Sequence, residues 1–181
     1  MNTEPDRKLV KRFLNGDEEA FHMLMSRYQK PLYYFVYRIV GDHDETADIC
    51  QNTFVQVFMK CSGFMWRSSF KTWLYRIATN QSLNHMRGIT RTVSLSEEHT
   101  DGLVSGAPET GVEGYALRRK IASLPEKQRL ALILRFYGDM SFKEIASVIG
   151  CTVGTAKVNC HHAINALRKG MRGYDGLQEG A

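Results

Sequence analysis

Three consecutive residues, Cys160, His161 and His162, are of types that hold transition metals. Their spacing argues against a shared ion. Neighbours on a helix point about 100° apart, so three in a row do not converge on one centre. The four cysteines, Cys50, Cys61, Cys151 and Cys160, form no CxxC pair, and reduced, buried thiols are expected of them. No GxGxxG, GxxxxGK[ST] or HExxH occurs, and no nucleophile–base constellation stands out. No cofactor, no metal and no enzymatic activity are therefore expected. Non-covalent binding is the chemistry that remains.

The elements that would position such binding are clearest in EIASVIGCTVGTAKV, Glu144 to Val158. Ala146 and Ala156 are small enough for two crossing helices to approach closely. Gly150 can take the left-handed conformation that ends a helix. Thr152 stands where it can cap the next one. Ile145, Ile149, Ala156, Cys160, Ala163 and Leu167 recur at spacings that give each helix one apolar face. The pattern predicts a helix-turn-helix over 142–161, with an ordinary bundle as the alternative.

Charge is distributed unevenly. The 181 residues carry a net +5. Residues 1–91 hold thirteen Lys and Arg against nine acids, and residues 118–181 eleven against five. Residues 92–117 hold five acids and no Lys or Arg. Basic blocks of this kind suit a polyanion, and a solvated surface is the plainer alternative. No apolar run approaches membrane-spanning length, and MNTEPDRKLVKRF lacks the apolar core of a signal peptide. A soluble, cytoplasmic protein without membrane insertion is expected.

The fold class expected is all-α, with two small helical domains. The first covers 1–91, a flexible acidic linker 92–112 (clearest in Thr92–Gly111), and the second domain 113–175. In the first domain Asp17 caps a helix whose face is Phe21, Leu24, Met25 and Tyr28. Leu32, Phe35, Val36 and Ile39 continue it past a bend at Pro31, and Gly41 ends it. A second helix carries Ala47, Cys50, Phe54, Val57 and Phe58 inward. A third begins after Ser68 or Ser69, with Phe70, Trp73, Leu74, Ile77, Leu83 and Met86 as its inner stripe. In the second domain Pro125 falls in the first turn of a helix, where its missing donor costs nothing.

Four stretches, in order, resemble the bacterial RNA polymerase sigma factors of the extracytoplasmic-function group. They are GDEEAFHMLMSRYQKPLY, DICQNTF, SSFKTWLYRIATNQSLNHMR and LPEKQRLALILRFYGDMSFKEIASVIGCTVGTAKV. The resemblance covers about residues 10–88 and 113–170 and implies a subunit that binds core RNA polymerase and directs promoter-specific initiation. The first domain would be region 2-like and the second region 4-like. The implied partners are core polymerase, through its clamp helices and flap, promoter DNA, and an anti-sigma factor.

The resemblance also implies site residues. Asp48, Gln51, Asn52, Val55 and Lys60 would dock on core polymerase, Asn52 replacing the acid usual there. Trp66, Arg67, Lys71, Tyr75, Arg76, Asn80, Asn84 and Arg87 would hold the opened minus-ten strand. Lys71, Arg76 and Arg87 suit phosphates. Asn80 and Asn84, one turn apart, suit base edges. The loop FMWRSS departs from the family's basic-glycine-acid pattern where the flipped base is selected. In the helix-turn-helix, Thr152, Gly154, Thr155, Lys157, Val158, Asn159 and His162 would face the minus-thirty-five element. Asn159 and His162 stand where arginine is frequent, which weakens phosphate attraction or changes the bases preferred.

An autonomous helix-turn-helix regulator is the alternative function. It would need only the second domain and would leave Asp48–Lys60 and Ser68–Arg87 without a purpose.

Overall fold

A computed structural model describes residues 4–93 and 112–175, with side chains placed over 4–89 and 117–170. The chain divides into two units, 1–97 and 98–181. Among the described residues every element is helical.

The first unit begins with α1 (Asp6–Leu14), which the sequence reading missed. Pro5 precedes it, and Leu9 and Val10 are fully buried. Its charges are matched at a distance. Asp6 accepts hydrogen bonds from Arg27 and from the Tyr28 hydroxyl. Arg12 bridges Glu4 at 2.6 Å and Asp17 at 2.7 Å. Phe13 packs its ring 4.9 Å from Phe21 and 5.1 Å from Phe58.

Asp17 caps α2 (Glu18–Val40) by accepting from the Ala20 amide. The helix runs on through Pro31 and ends at Gly41. Asp42 then caps α3 (His43–Lys60), accepting from the Glu45 amide at 2.9 Å. The inner face of α3 is Thr46, Ile49, Cys50, Thr53, Phe54 and Val57. Ala47, expected inward, is exposed, and Phe58 is half-exposed beside Phe13 and Phe21. Thr53 joins the inner face, because its hydroxyl donates to the Ile49 carbonyl at 2.7 Å and so can be buried.

The same device turns α4 (Phe70–Val93). Its buried residues are Phe70, Thr72, Leu74, Tyr75, Ala78, Thr79 and Ser82, a face rotated away from the expected stripe. Thr79 and Ser82 donate to the carbonyls of Tyr75 and Ala78 at 2.7 and 2.8 Å. Trp73, Ile77, Leu83 and Met86 are left half-buried at its edge. The helix ends at Val93, so Thr92 and Val93 belong to it and not to a linker; residues 94–111 of the expected linker lie outside the described residues.

The second unit holds α5 (Val112–Ala122), α6 (Glu126–Phe136), α7 (Phe142–Ile149) and α8 (Val153–Asp175). Val112 thus starts a helix. Pro125 is the cap of α6, one place before its first turn. Leu130 to Leu134 are five consecutive buried residues, so the middle of α6 is buried all round, while Arg135 and Phe136 at its end are exposed. It packs on α7 and α8, and α5 lies against α8 through Ile121, Leu124, Ala163, Ile164 and Leu167. Gly138, between α6 and α7, admits no side chain: a Cβ there would stand 2.7 Å from the Leu134 carbonyl oxygen.

Candidate nucleic-acid interface

The corner between α7 and α8 is built locally. Ser141 and Glu144 form a reciprocal capping box: the Ser141 hydroxyl accepts from the Glu144 amide at 3.3 Å, and the Glu144 carboxylate accepts from the Ser141 amide at 3.0 Å. Gly150 ends α7 at φ +67°, ψ +51°, the left-handed conformation predicted for it. Thr152 caps α8, accepting from the Thr155 amide at 3.1 Å. Ala146 and Ala156, 6% and 0% exposed, sit at the close approach.

The face of α8 opposite Ala156 points to solvent. Thr152, Gly154, Thr155, Lys157, Val158 and His162 are exposed, as expected. The two threonine hydroxyls lie 2.9 Å apart and support the cap. Asn159 is a correction. At about 100° per residue it lies only 60° from Ala156, and it is half-buried. His161 was overlooked. It lies about 140° from Ala156, on the outward face with Gly154 and Val158, and is exposed, bonded to Asn165 at 2.8 Å. The periodicity that placed Ala156, Cys160 and Ala163 inward would have found it. Cys160 is buried, so it does not join His161 and His162. Among the described residues no group of three or more His, Cys, Asp or Glu could hold a metal.

On α4 a stripe of Trp73, Arg76, Asn80, Asn84 and Arg87 recurs at spacings of three and four. Asn80, Asn84 and Arg87 are exposed, and Arg76 is half-buried. Lys71 is half-buried and off this stripe, about 160° round the helix from Trp73. Tyr75 is a second correction. It is 1% exposed, and its ring lies 4.8 Å from that of Phe35; no surface contact is open to it. Burial pushes its hydroxyl up to about 12.

The segment before α4 stands on an aromatic ladder. Phe64 packs against Trp66 at 4.9 Å and against Trp73 at 4.8 Å, and Phe70 links Trp73 to Tyr28. Trp66 takes φ +56° and is 38% exposed; Met65 and Arg67 beside it are exposed. A cleft of about 250 Å³ lies here, lined by Asp6, Arg7, Trp66, Ser68, Ser69 and Phe70. Ser69 caps α4, accepting from the Thr72 amide at 3.1 Å.

On α3, Asp48, Gln51, Asn52 and Val55 share the outward face and are exposed. Lys60 is exposed and donates to Gln56 at 3.3 Å. Met59, 73% exposed, and Phe58 add apolar surface to the same end of the helix. Of the four thiols expected inward, Cys50, Cys61 and Cys160 are buried and Cys151 is only half-buried; burial pushes Cys50 up to about 12 and Cys61 to about 11.

A capped helix-turn-helix, together with a second helical unit that presents asparagines and cations in a stripe, defines a two-part helical binding protein. The Sigma-70 region 2 family model matches residues 24–92, and the Sigma-70, region 4 model matches residues 115–167. The ECF RNA polymerase sigma factor SigW of Bacillus subtilis is 32% identical over 92% of this chain and 96% of its own length. The ECF RNA polymerase sigma-E factor of Escherichia coli K12 is 34% identical over 90% of this chain and 92% of its own. The sigma factor RpoE of Bartonella quintana, solved in complex with the anti-sigma factor NepR, superposes with a TM-score of 0.72 at 25% identity. That match covers 84% of this chain and 96% of RpoE. The chain belongs to the extracytoplasmic-function group of the sigma-70 family, and it is an RNA polymerase sigma factor that directs transcription initiation. These relatives are not enzymes. No helix among the described residues is long and apolar enough to cross a membrane.

Proposed function

We propose that three outward faces divide the work of initiation. On α3, Asp48, Gln51, Asn52 and Val55, with Lys60 near its end, dock on core polymerase. An apolar centre at Val55 and Met59, ringed by polar groups, suits a protein partner. On α4, Asn80 and Asn84 hydrogen-bond the edges of unpaired minus-ten bases, and Arg76 and Arg87 engage phosphates. Lys71, off that stripe, serves phosphate only from its own side. The cleft beside Trp66 receives an unstacked base, with Trp66 as its stacking platform and Arg67 at its mouth. On α8, Gly154, Lys157, Val158, His161 and His162 meet the major groove of the minus-thirty-five element, with the capped Thr152–Thr155 start against phosphate.

The observation that carries this reading is the α8 face: a capped helix turns Ala156, Cys160 and Ala163 inward and leaves Gly154, Lys157, Val158 and His161 outward together. The protein acts in the cytoplasm, where polymerase is, without enzymatic activity of its own. An anti-sigma factor holds it until a signal arrives, as the complex of the Bartonella relative suggests.

Gel shift with and without core polymerase tests the reading. Tight promoter binding should require core, and Asp48→Ala with Gln51→Ala should remove core binding while leaving the helical circular dichroism unchanged. Tight, specific binding by the free protein would favour an autonomous regulator instead.

A further inference from the structure

The segment that carries Trp66 is held by residues ahead of those that the region 2 family model matches. They lie in helix α1. It is nevertheless fixed to α2, since Asp6 accepts from Arg27 and Tyr28, and the Glu4 carbonyl accepts from Arg27 at 2.7 Å. This places the next residue, Arg7, with its guanidinium carbon 5.6 Å from the centre of the Trp66 ring, within cation–π range. Phe64 packs against the same ring.

Trp66 needs such support. At φ +56° it occupies the left-handed region, which a bulky side chain leaves unless its surroundings hold it there. We propose that Arg7 is a positioning residue for promoter opening: it clamps Trp66 against Phe64 and so keeps the Asp6–Phe70 cleft shaped for an unstacked base. The proposal rests on the reading of the cleft given above. Arg7 acts through Trp66 and not by neutralising a phosphate.

That distinction is measurable in the holoenzyme. A promoter found by sequencing the transcripts of the reconstituted enzyme, with 2-aminopurine in its minus-ten element, reports strand opening by fluorescence. Losing a surface cation–π contact should slow opening about two- to five-fold in Arg7→Ala. Arg7→Lys should recover part of the rate, since the cation remains but the flat stacking surface does not. In a Trp66→Ala background, Arg7→Ala should cost nothing further. Core binding should match wild type in Arg7→Ala, and the thermal midpoint should fall by only a few degrees. Additive losses in the double variant, or an opening rate for Arg7→Ala equal to wild type, overturn the proposal. An opening rate for Trp66→Ala equal to wild type overturns the reading of the cleft as well.

Discussion

Tyr75 and Phe35 pack ring to ring at 4.8 Å inside the first unit, joining α4 to α2. A tyrosine that sequence reasoning assigned to DNA is a core residue. Its pairing predicts two separable outcomes. Tyr75→Phe should open promoters within two-fold of wild type. Tyr75→Ala should destabilise the unit by about 3–5 kcal/mol through the cavity left behind, as measured by urea unfolding. A large opening defect in a stably folded Tyr75→Phe would return the hydroxyl to the DNA.

The α8 face makes an ordered prediction. His161→Ala should weaken minus-thirty-five-dependent transcription more than Asn159→Ala, because His161 points outward and Asn159 sits beside the buried face. Lys157→Ala should weaken binding across sequences and lower the salt-dependence slope of holoenzyme binding by about one unit. Equal effects at 159 and 161 would mean that α8 enters the groove on a different face.

Gly154 stands in a helix with no backbone need for glycine. A Cβ there would approach only the Thr152 hydroxyl, at 3.8 Å. Glycine in a helix costs roughly 0.5–1 kcal/mol relative to alanine. Gly154→Ala should therefore raise the thermal midpoint of the second unit and, if DNA comes close at this point, lower minus-thirty-five-dependent transcription. Gains in both stability and transcription would show that no phosphate or base reaches it.

Arg12 sets a pH dependence. Its hydrogen bond holds the Asp17 carboxyl below its ordinary 3.8, against burial, which pushes the other way. Burial likewise raises Glu4, but bonds from Lys8 and Arg12 outweigh it and hold that carboxyl below 4.5. Carboxyls lowered in the folded state stabilise it above their ordinary values, and the contribution is lost as pH falls through 4.5 and 3.8 towards the folded values. The thermal midpoint should be flat from neutral pH down to about 5 and fall below that. Arg12→Ala should melt lower at pH 7 and converge on wild type in acid. Parallel curves would remove Arg12 from the account.

Some of this was legible in the chain, for local reasons. α7 is bounded by Ser141, Glu144 and Gly150, whose roles depend on residues three or four places away, so its limits could be read directly. α1 carries a legible signal, Leu9, Val10, Phe13 and Leu14 at helical spacing after Pro5, that was missed; what no periodicity signals is its anchoring, since Asp6 finds its partners twenty-one and twenty-two residues on. The inner stripe of α4 was misjudged because Thr79 and Ser82 satisfy their own hydroxyls within the helix and go inside, displacing Trp73 and Ile77 to the edge. The Trp66 cleft joins residues 6–7 to residues 66–70, and only the folded chain brings them together.

The capping of the α7–α8 corner has a thermodynamic consequence. With Ser141, Gly150 and Thr152 already satisfying the helix ends, the reading helix has no folding left to do when it meets a duplex. Calorimetry on the second unit with minus-thirty-five DNA should therefore return a heat-capacity change no larger than contact alone removes from water, without the excess that accompanies coupled folding.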